Sequence, residues 1–224
     1  MEKVKFHFDP RCPWCYQTSR WVRRLEELGE IEADWGVFSL EVVNKAEGVD
    51  PSSIGENAAS GPALRTAIAI RDSEGSKAIG PFYAALGSRI WERELPEQDN
   101  VKAVKESLEE VGLDPALCDK ALLDPGTWEA VLDEHNALID RTRSFGVPTI
   151  VMDGGSGNAI FGPVISQLPN DEDAVQLWRS VSWLARYDNF SELKRDRALP
   201  PDLPAMDFLR KQREAQRAAE AKQG

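Results

Sequence analysis

The feature that most narrows what this chain can become is the stretch Phe8-Asp9-Pro10-Arg11-Cys12-Pro13-Trp14-Cys15-Tyr16. Before it, Val4, Phe6 and Phe8 alternate with Lys5 and His7, which predicts a strand. After it, Thr18, Trp21, Val22, Leu25 and Leu28 recur at helical spacing, and Gly29 ends the helix. Two cysteines three apart at a strand-to-helix turn form the pattern of a redox dithiol. With Cys12 as N-cap, Pro13 takes the first helical position, where its missing N–H costs nothing. Cys15 then lies one turn in on the same face, roughly 5–6 Å away, within the reach of a disulfide. Unpaired amides and the positive end of the helix dipole favour thiolate at Cys12. Cysteines so placed fall from about 8.5 to between ~3.5 and ~7.5. Pro13-Trp14 carries no cation, so only the backbone and Arg11 are near enough to steady the anion, and a moderate depression is expected. Cys12 is therefore the expected nucleophile and Cys15 the resolving thiol.

Other uses of the pair fit less well. A closed zinc site needs four ligands. The rest of the chain offers Cys118, His7 and His135 without metal-type spacing, so no metal is expected. Two inert buried cysteines are the plain alternative. Three cysteines, an odd number, suit a reducing compartment with one working pair better than a secreted scaffold. A net charge of −11, from 27 basic and 38 acidic residues, argues against nucleic acid or an anionic membrane surface as the main partner. No apolar run approaches a membrane span, and Met1-Glu2-Lys3 leads straight into the first strand, so a cytoplasmic location is expected. Nothing in the pattern decides between a monomer and a homodimer.

Ile31 to Leu40 reads as a second strand, giving β-α-β with the dithiol at its first turn. Asn44 to Ser60 is polar and broken by glycine and proline, so it predicts a loop with at most short helix. Helical periodicity follows around Leu64 to Arg71, Ile79 to Ile90 and Val101 to Val111. Asp114-Pro115 and Asp124-Pro125 each pair an N-cap with proline, opening helices around Leu117 to Leu122 and Trp128 to Thr142. Cys118 and His135 fall in these stripes and read as structural, as does His7 in the first strand. Pro148 to Met152 and Asn158 to Phe161 flank a turn at Asp153-Gly154-Gly155-Ser156-Gly157 and predict a hairpin. Asn170 and Asp171 open a last helix along Ala174, Leu177, Trp178, Val181 and Leu184. From Leu199 a proline-rich linker leads into a charged run with few apolar positions, expected to be a solvated tail.

β-α-β, a helical block, then β-β-α is the order left when a helical domain interrupts a thioredoxin fold. The chain resembles the DsbA-like branch of that superfamily. Phe6 to Arg24 with CPWC, Ser39-Leu40, Gly61-Pro62-Ala63, Gly146-Val147-Pro148-Thr149, Phe161-Gly162-Pro163-Val164 and Leu193-Lys194-Arg195 are similar to the actinobacterial mycothiol-dependent nitroreductases within it. The resemblance implies an α/β thioredoxin-like domain from 1–43 and 144–198, an all-helical insertion over 44–143, and a linker and tail over 199–224. It implies that Pro148 is cis and faces the dithiol, with the Val147 backbone pairing to substrate. Pro13 and Trp14 would line the substrate groove, and Asp9 is a candidate for proton transfer or a plain loop acid. Mycothiol, or another low-molecular-weight thiol, is the implied cosubstrate, with no tightly bound cofactor, and nitroaromatics are implied acceptors.

The expected activity is thiol-disulfide oxidoreduction. Relatives of the glutathione-transferase-kappa and 2-hydroxychromene-2-carboxylate-isomerase type offer a rival reading. They work with a serine or single thiol, and Cys15 argues against them. A non-catalytic binding or chaperone role is the third.

Overall fold

The alternation from Val4 to Phe8 becomes β1 (Glu2–Phe8), an interior strand in a computed structural model that describes residues 1–55, 57–143 and 145–220. The dithiol run becomes α1 (Pro13–Glu27), and β2 (Ile31–Val37) returns parallel to β1, with Phe6 opposite Trp35 and His7 opposite Gly36. β3 (Thr149–Val151) and β4 (Ala159–Phe161) add antiparallel, giving the order β2-β1-β3-β4. This is the expected α/β thioredoxin-like architecture. Between β2 and β3 run α2 (Leu40–Val43), α3 (Pro51–Ile54), α4 (Gly61–Glu74), α5 (Ile79–Trp91), α6 (Asn100–Glu110), α7 (Ala116–Leu123) and α8 (Pro125–Thr142). Helix α10 (Asp171–Arg186), after the one-turn α9 (Met152–Gly155), packs on α1, where Trp21 lies 6.2 Å from Trp178 and its Nε1–H donates to the Ala174 carbonyl at 3.1 Å. Each such aromatic contributes roughly 1.5–3 kcal/mol by leaving water. No helix among the described residues is long and apolar enough to cross a membrane.

The helical block is tied to the sheet by charge. Glu134 of α8 sits between Lys5 of β1 and Arg71 of α4, 2.6 Å from each. Beside them His7 is buried, with Nδ1 3.5 Å from the Val37 carbonyl, and burial holds its imidazole down to about 4. Gly36 leaves room for that ring, since a Cβ there would stand 2.6 Å from it. His135 of α8 is also fully buried, accepts the Ser39 N–H at Nδ1 (3.3 Å), and is pushed to about 4 by burial alone.

Three local expectations change in the folded chain. β2 stops at Val37 rather than Leu40, because Ser39 Oγ accepts the Val42 N–H (3.2 Å) and begins α2. A cap satisfies amides there that a strand would leave without a partner. In the hairpin, Asp153 (φ 54°) and Gly154 (φ 64°) turn the chain through left-handed geometry, so Met152 closes β3 as a helical turn. The proline-rich linker before the expected solvated tail is instead anchored: Leu203 (5% exposed) and Ala205 join the core, and α11 (Ala205–Glu220) packs against α5. From Arg210 to Arg217 every side chain is exposed, as a solvated tail requires. Residues 221–224 of that tail, Glu56 of the expected loop, and Ser144 at the expected domain boundary lie outside the described residues.

Replacing Leu203 with Ala should cost about 2–3 kcal/mol in urea unfolding; a cost near zero would show the tail undocked. Unfolded imidazoles bind a proton below about 6.5 and these two only below about 4. Unfolding between those pH values therefore takes up protons, and stability falls as the pH falls. His135→Asn, whose amide oxygen can accept the Ser39 N–H, should remove about one proton equivalent from the slope of stability against pH over that window.

Candidate active site

Cys12 is the N-cap of α1, at φ −94° and ψ 110°, and its Sγ accepts the Cys15 N–H at 3.4 Å. Pro13 follows at the first helical position. Cys15 is fully buried, its thiol directed to the His7 carbonyl at 3.7 Å, while Cys12 keeps 7% of its surface open. Both are free thiols. Across from them the Cys12 Sγ stands 3.8 Å from the Val147 carbonyl, the Val147–Pro148 bond is cis, and Thr149 Oγ1 donates to the Gly146 carbonyl at 2.9 Å. The loop between β1 and α1 is fixed from both ends. Buried Asp9 accepts the Arg11 N–H at Oδ1 (2.8 Å) and the Leu40 N–H at Oδ2 (2.7 Å), and Trp91 Nε1 donates to the Pro10 carbonyl at 2.9 Å. On the next turn Thr18 Oγ1 reaches the Pro163 carbonyl at 2.9 Å, just after a second cis bond at Gly162–Pro163.

Sequence reasoning brought Asp9, Cys12, Pro13, Trp14, Cys15, Val147 and Pro148 to one locus, and the two cysteines, Asp9 and the Val147–Pro148 turn are gathered there. Electrostatically the locus differs from expectation. Burial pushes the Cys12 thiol up to about 11 rather than down, and the neighbouring Asp9 charge adds to it. The Cys15 amide, the Trp14 amide and Arg197 pull the other way. The helix-terminal geometry favours the anion, but removal from water outweighs it. Cys15 is raised well above the usual thiol range, also by burial first. Asp9 is raised to about 6 by burial, against the two amides it accepts from.

Two side chains at the locus were not singled out by the sequence. Arg11 was the expected cation, but its guanidinium lies exposed near Asn100 Oδ1 (3.4 Å). Arg197 takes that place, its guanidinium 5.3 Å from the centre of the half-buried Trp14 ring. It arrives from a stretch with no regular structure, held by Ser166, which donates to the Leu199 carbonyl and accepts from the Asp202 amide. No signal in that stretch marks it. The other is Tyr83, an apolar-stripe residue by its spacing, whose fully buried hydroxyl lies next to Cys15. Cys118 is fully buried on α7 beside Thr66 of α4.

A family model described as Rv2466c-like, "Mycothiol-dependent nitroreductase Rv2466c", matches residues 11–195. The chain belongs to that family. The matched span takes in both cysteines of the CPWC run, Tyr83 and the Val147–Pro148 turn, and stops two residues short of Arg197. The uncharacterized protein Rv2286c of Mycobacterium tuberculosis (strain ATCC 25618 / H37Rv) is 32% identical over 203 residues, which cover 91% of this chain and 85% of the relative. Among solved structures, 2-hydroxychromene-2-carboxylate isomerase aligns with a TM-score of 0.56 at 16% identity, over 82% of this chain and 96% of its own. The probable DsbA oxidoreductase SCO1869 from Streptomyces coelicolor aligns with 0.52 at 17%, over 88% and 95%. At those identities the structures share the fold. The family is one of oxidoreductases that draw on a low-molecular-weight thiol.

With the Cys12 thiol at about 11, its thiolate fraction grows about tenfold per pH unit below that value. Alkylation of Cys12 by iodoacetamide, followed by peptide mass spectrometry, should therefore climb steadily from pH 7 to 10. A plateau reached below pH 8 would mean that the thiolate is already formed.

Proposed function

We propose that this chain is a cytoplasmic thiol-disulfide oxidoreductase in which Cys12 captures substrate and Cys15 resolves the adduct. The observation that carries this reading is the Cys12 sulfur: capped by the Cys15 amide at 3.4 Å and facing the Val147 carbonyl at 3.8 Å, it is the more open of two adjacent thiols. In the first step the Cys12 thiolate attacks a disulfide, a Cys12 mixed disulfide forms, and one thiolate leaves with the electron pair of the broken bond. Cys15 then attacks Cys12, the internal disulfide closes, and the second thiol departs. Two low-molecular-weight thiols, mycothiol by the family's description, reverse these steps and restore the dithiol while becoming a disulfide themselves.

The burial that raises both thiols holds the resting site protonated, so a nearby base has to take the Cys15 proton. We assign that to Asp9, which at about 6 is ionised at neutral pH and bears electrostatically on both sulfurs. Each of its oxygens holds one backbone amide and retains a second lone pair. Pro13 and Trp14 form the near wall of the groove and Val147 with Pro148 the far wall, where the Val147 backbone pairs with the bound substrate. For a nitroaromatic acceptor the same dithiol supplies two electrons and two protons, taking the nitro group to nitroso and water as the internal disulfide closes.

Replacing Cys12 with Ser should abolish thiol-dependent disulfide reduction, and undiminished turnover would rule the mechanism out. Cys15→Ser should arrest the enzyme with one thiol attached to Cys12, visible as a mass increment on that peptide. A Cys15→Ser enzyme that keeps full activity with a thiol cosubstrate would restore the transferase or isomerase reading.

A further inference from the structure

Tyr83 packs against three aromatic rings. Its ring stacks on Phe8 at 4.0 Å and 17°, and meets Tyr16 edge-on at 6.0 Å and Trp35 at 5.9 Å. Phe8 immediately precedes Asp9 and Tyr16 immediately follows Cys15, so the ring is gripped from both sides of the dithiol loop. Helix α5 approaches that closely because Gly87 has no side chain; a Cβ there would stand 2.0 Å from the Tyr16 ring.

The hydroxyl at the end of this ring is buried and has no hydrogen bond of ordinary geometry; its contact is a weak one, with the Cys15 sulfur. Buried tyrosine hydroxyls ordinarily find a partner, and leaving one unmade is costly. Burial pushes the phenol up, the Cys15 sulfur beside it adds to that rise, and the phenol in turn pulls the thiol down against burial. The other titratable or charged groups that bear on the phenol are Cys12 and Arg23, both from the α1 side. A protonated thiol is a weak acceptor and a thiolate a strong one. The contact with Cys15 is therefore weak in the resting site and strengthens when Cys15 loses its proton.

The geometry points to Tyr83 as the hydrogen-bond donor that meets the charge developing on Cys15 as it attacks the Cys12 mixed disulfide. The inference rests on the dithiol reading above. In that step the Cys15–Cys12 bond forms and the bond from Cys12 to the captured thiol breaks. The electron pair leaves with the departing thiolate, the proton shed by Cys15 ends on that thiolate, and Tyr83 keeps its own. An interaction stronger at the transition state than in the resting site speeds the step without tightening the ground state.

The test is Tyr83→Phe, which removes one oxygen and keeps the ring. A single turnover with a disulfide of glutathione, followed by acid quench and peptide mass spectrometry, reads capture at Cys12 and closure to the internal disulfide separately. Closure should slow roughly 10- to 100-fold, the loss of one hydrogen bond to a charged group. The mixed disulfide should accumulate, and the pH profile of closure should move to higher pH. Thermal stability should hold or rise, since a hydroxyl with no hydrogen bond of ordinary geometry has been deleted from the interior. Closure at the wild-type rate, in a protein whose wild type does form the mixed disulfide, overturns the role of Tyr83 and leaves the dithiol standing. Failure of the wild type to form any mixed disulfide at Cys12 overturns both.

Discussion

The Asp9 carboxylate, buried without remainder, holds the start of the cysteine loop to the start of α2, taking the Arg11 amide on one oxygen and the Leu40 amide on the other. Two segments that are 31 residues apart in sequence are thereby fixed at the end of the sheet where Cys12 sits. His135 reinforces the same junction from the helical block through the Ser39 amide. The arrangement has an electrostatic consequence. Two charge-assisted hydrogen bonds do not compensate for full desolvation, so the carboxyl stays near 6, and once ionised it sets a negative charge beside two sulfurs that are themselves better left neutral.

The site thus balances opposed terms. The N-terminus of α1, its free amides and Arg197 favour a Cys12 thiolate, whereas burial and Asp9 oppose it, and burial is the largest. A thiol kept protonated in a nearly closed site reacts when something changes its surroundings, either a ligand that displaces the residual water or a proton acceptor within reach. Cys15 is at the extreme of this, fully enclosed by the His7 carbonyl, Tyr83 and the loop itself.

The segment following α10 changes the picture of the molecule's surface. It carries no regular structure from Glu192 to Leu203, yet Ser166 pins it on both sides, and it lays Arg197 on Trp14 before Leu203 and Ala205 enter the core. Trp14 is consequently flanked by a part of the chain whose Arg197 lies outside the matched family span.

Much of this was legible in local pattern. The strand-to-helix turn with cysteines three apart, the N-cap at Cys12, the caps at Asp124 and Asn170 and the helical stripes of the central block all appear where spacing placed them, because each depends on residues within one turn of one another. Local pattern misjudged β2, since a cap at Ser39 ends the strand early, and it misjudged Leu203, which joins the hydrophobic core from a proline-rich stretch with no regular structure. By itself the sequence determined which two sulfurs stand together and which end of a helix they occupy, through bonds and spacings confined to about a dozen residues. Only the tertiary structure decided how much water reaches them, which cation and which phenol lie nearby, and on which side of neutrality Asp9 rests, because desolvation is set by segments that the chain brings in from more than sixty residues away.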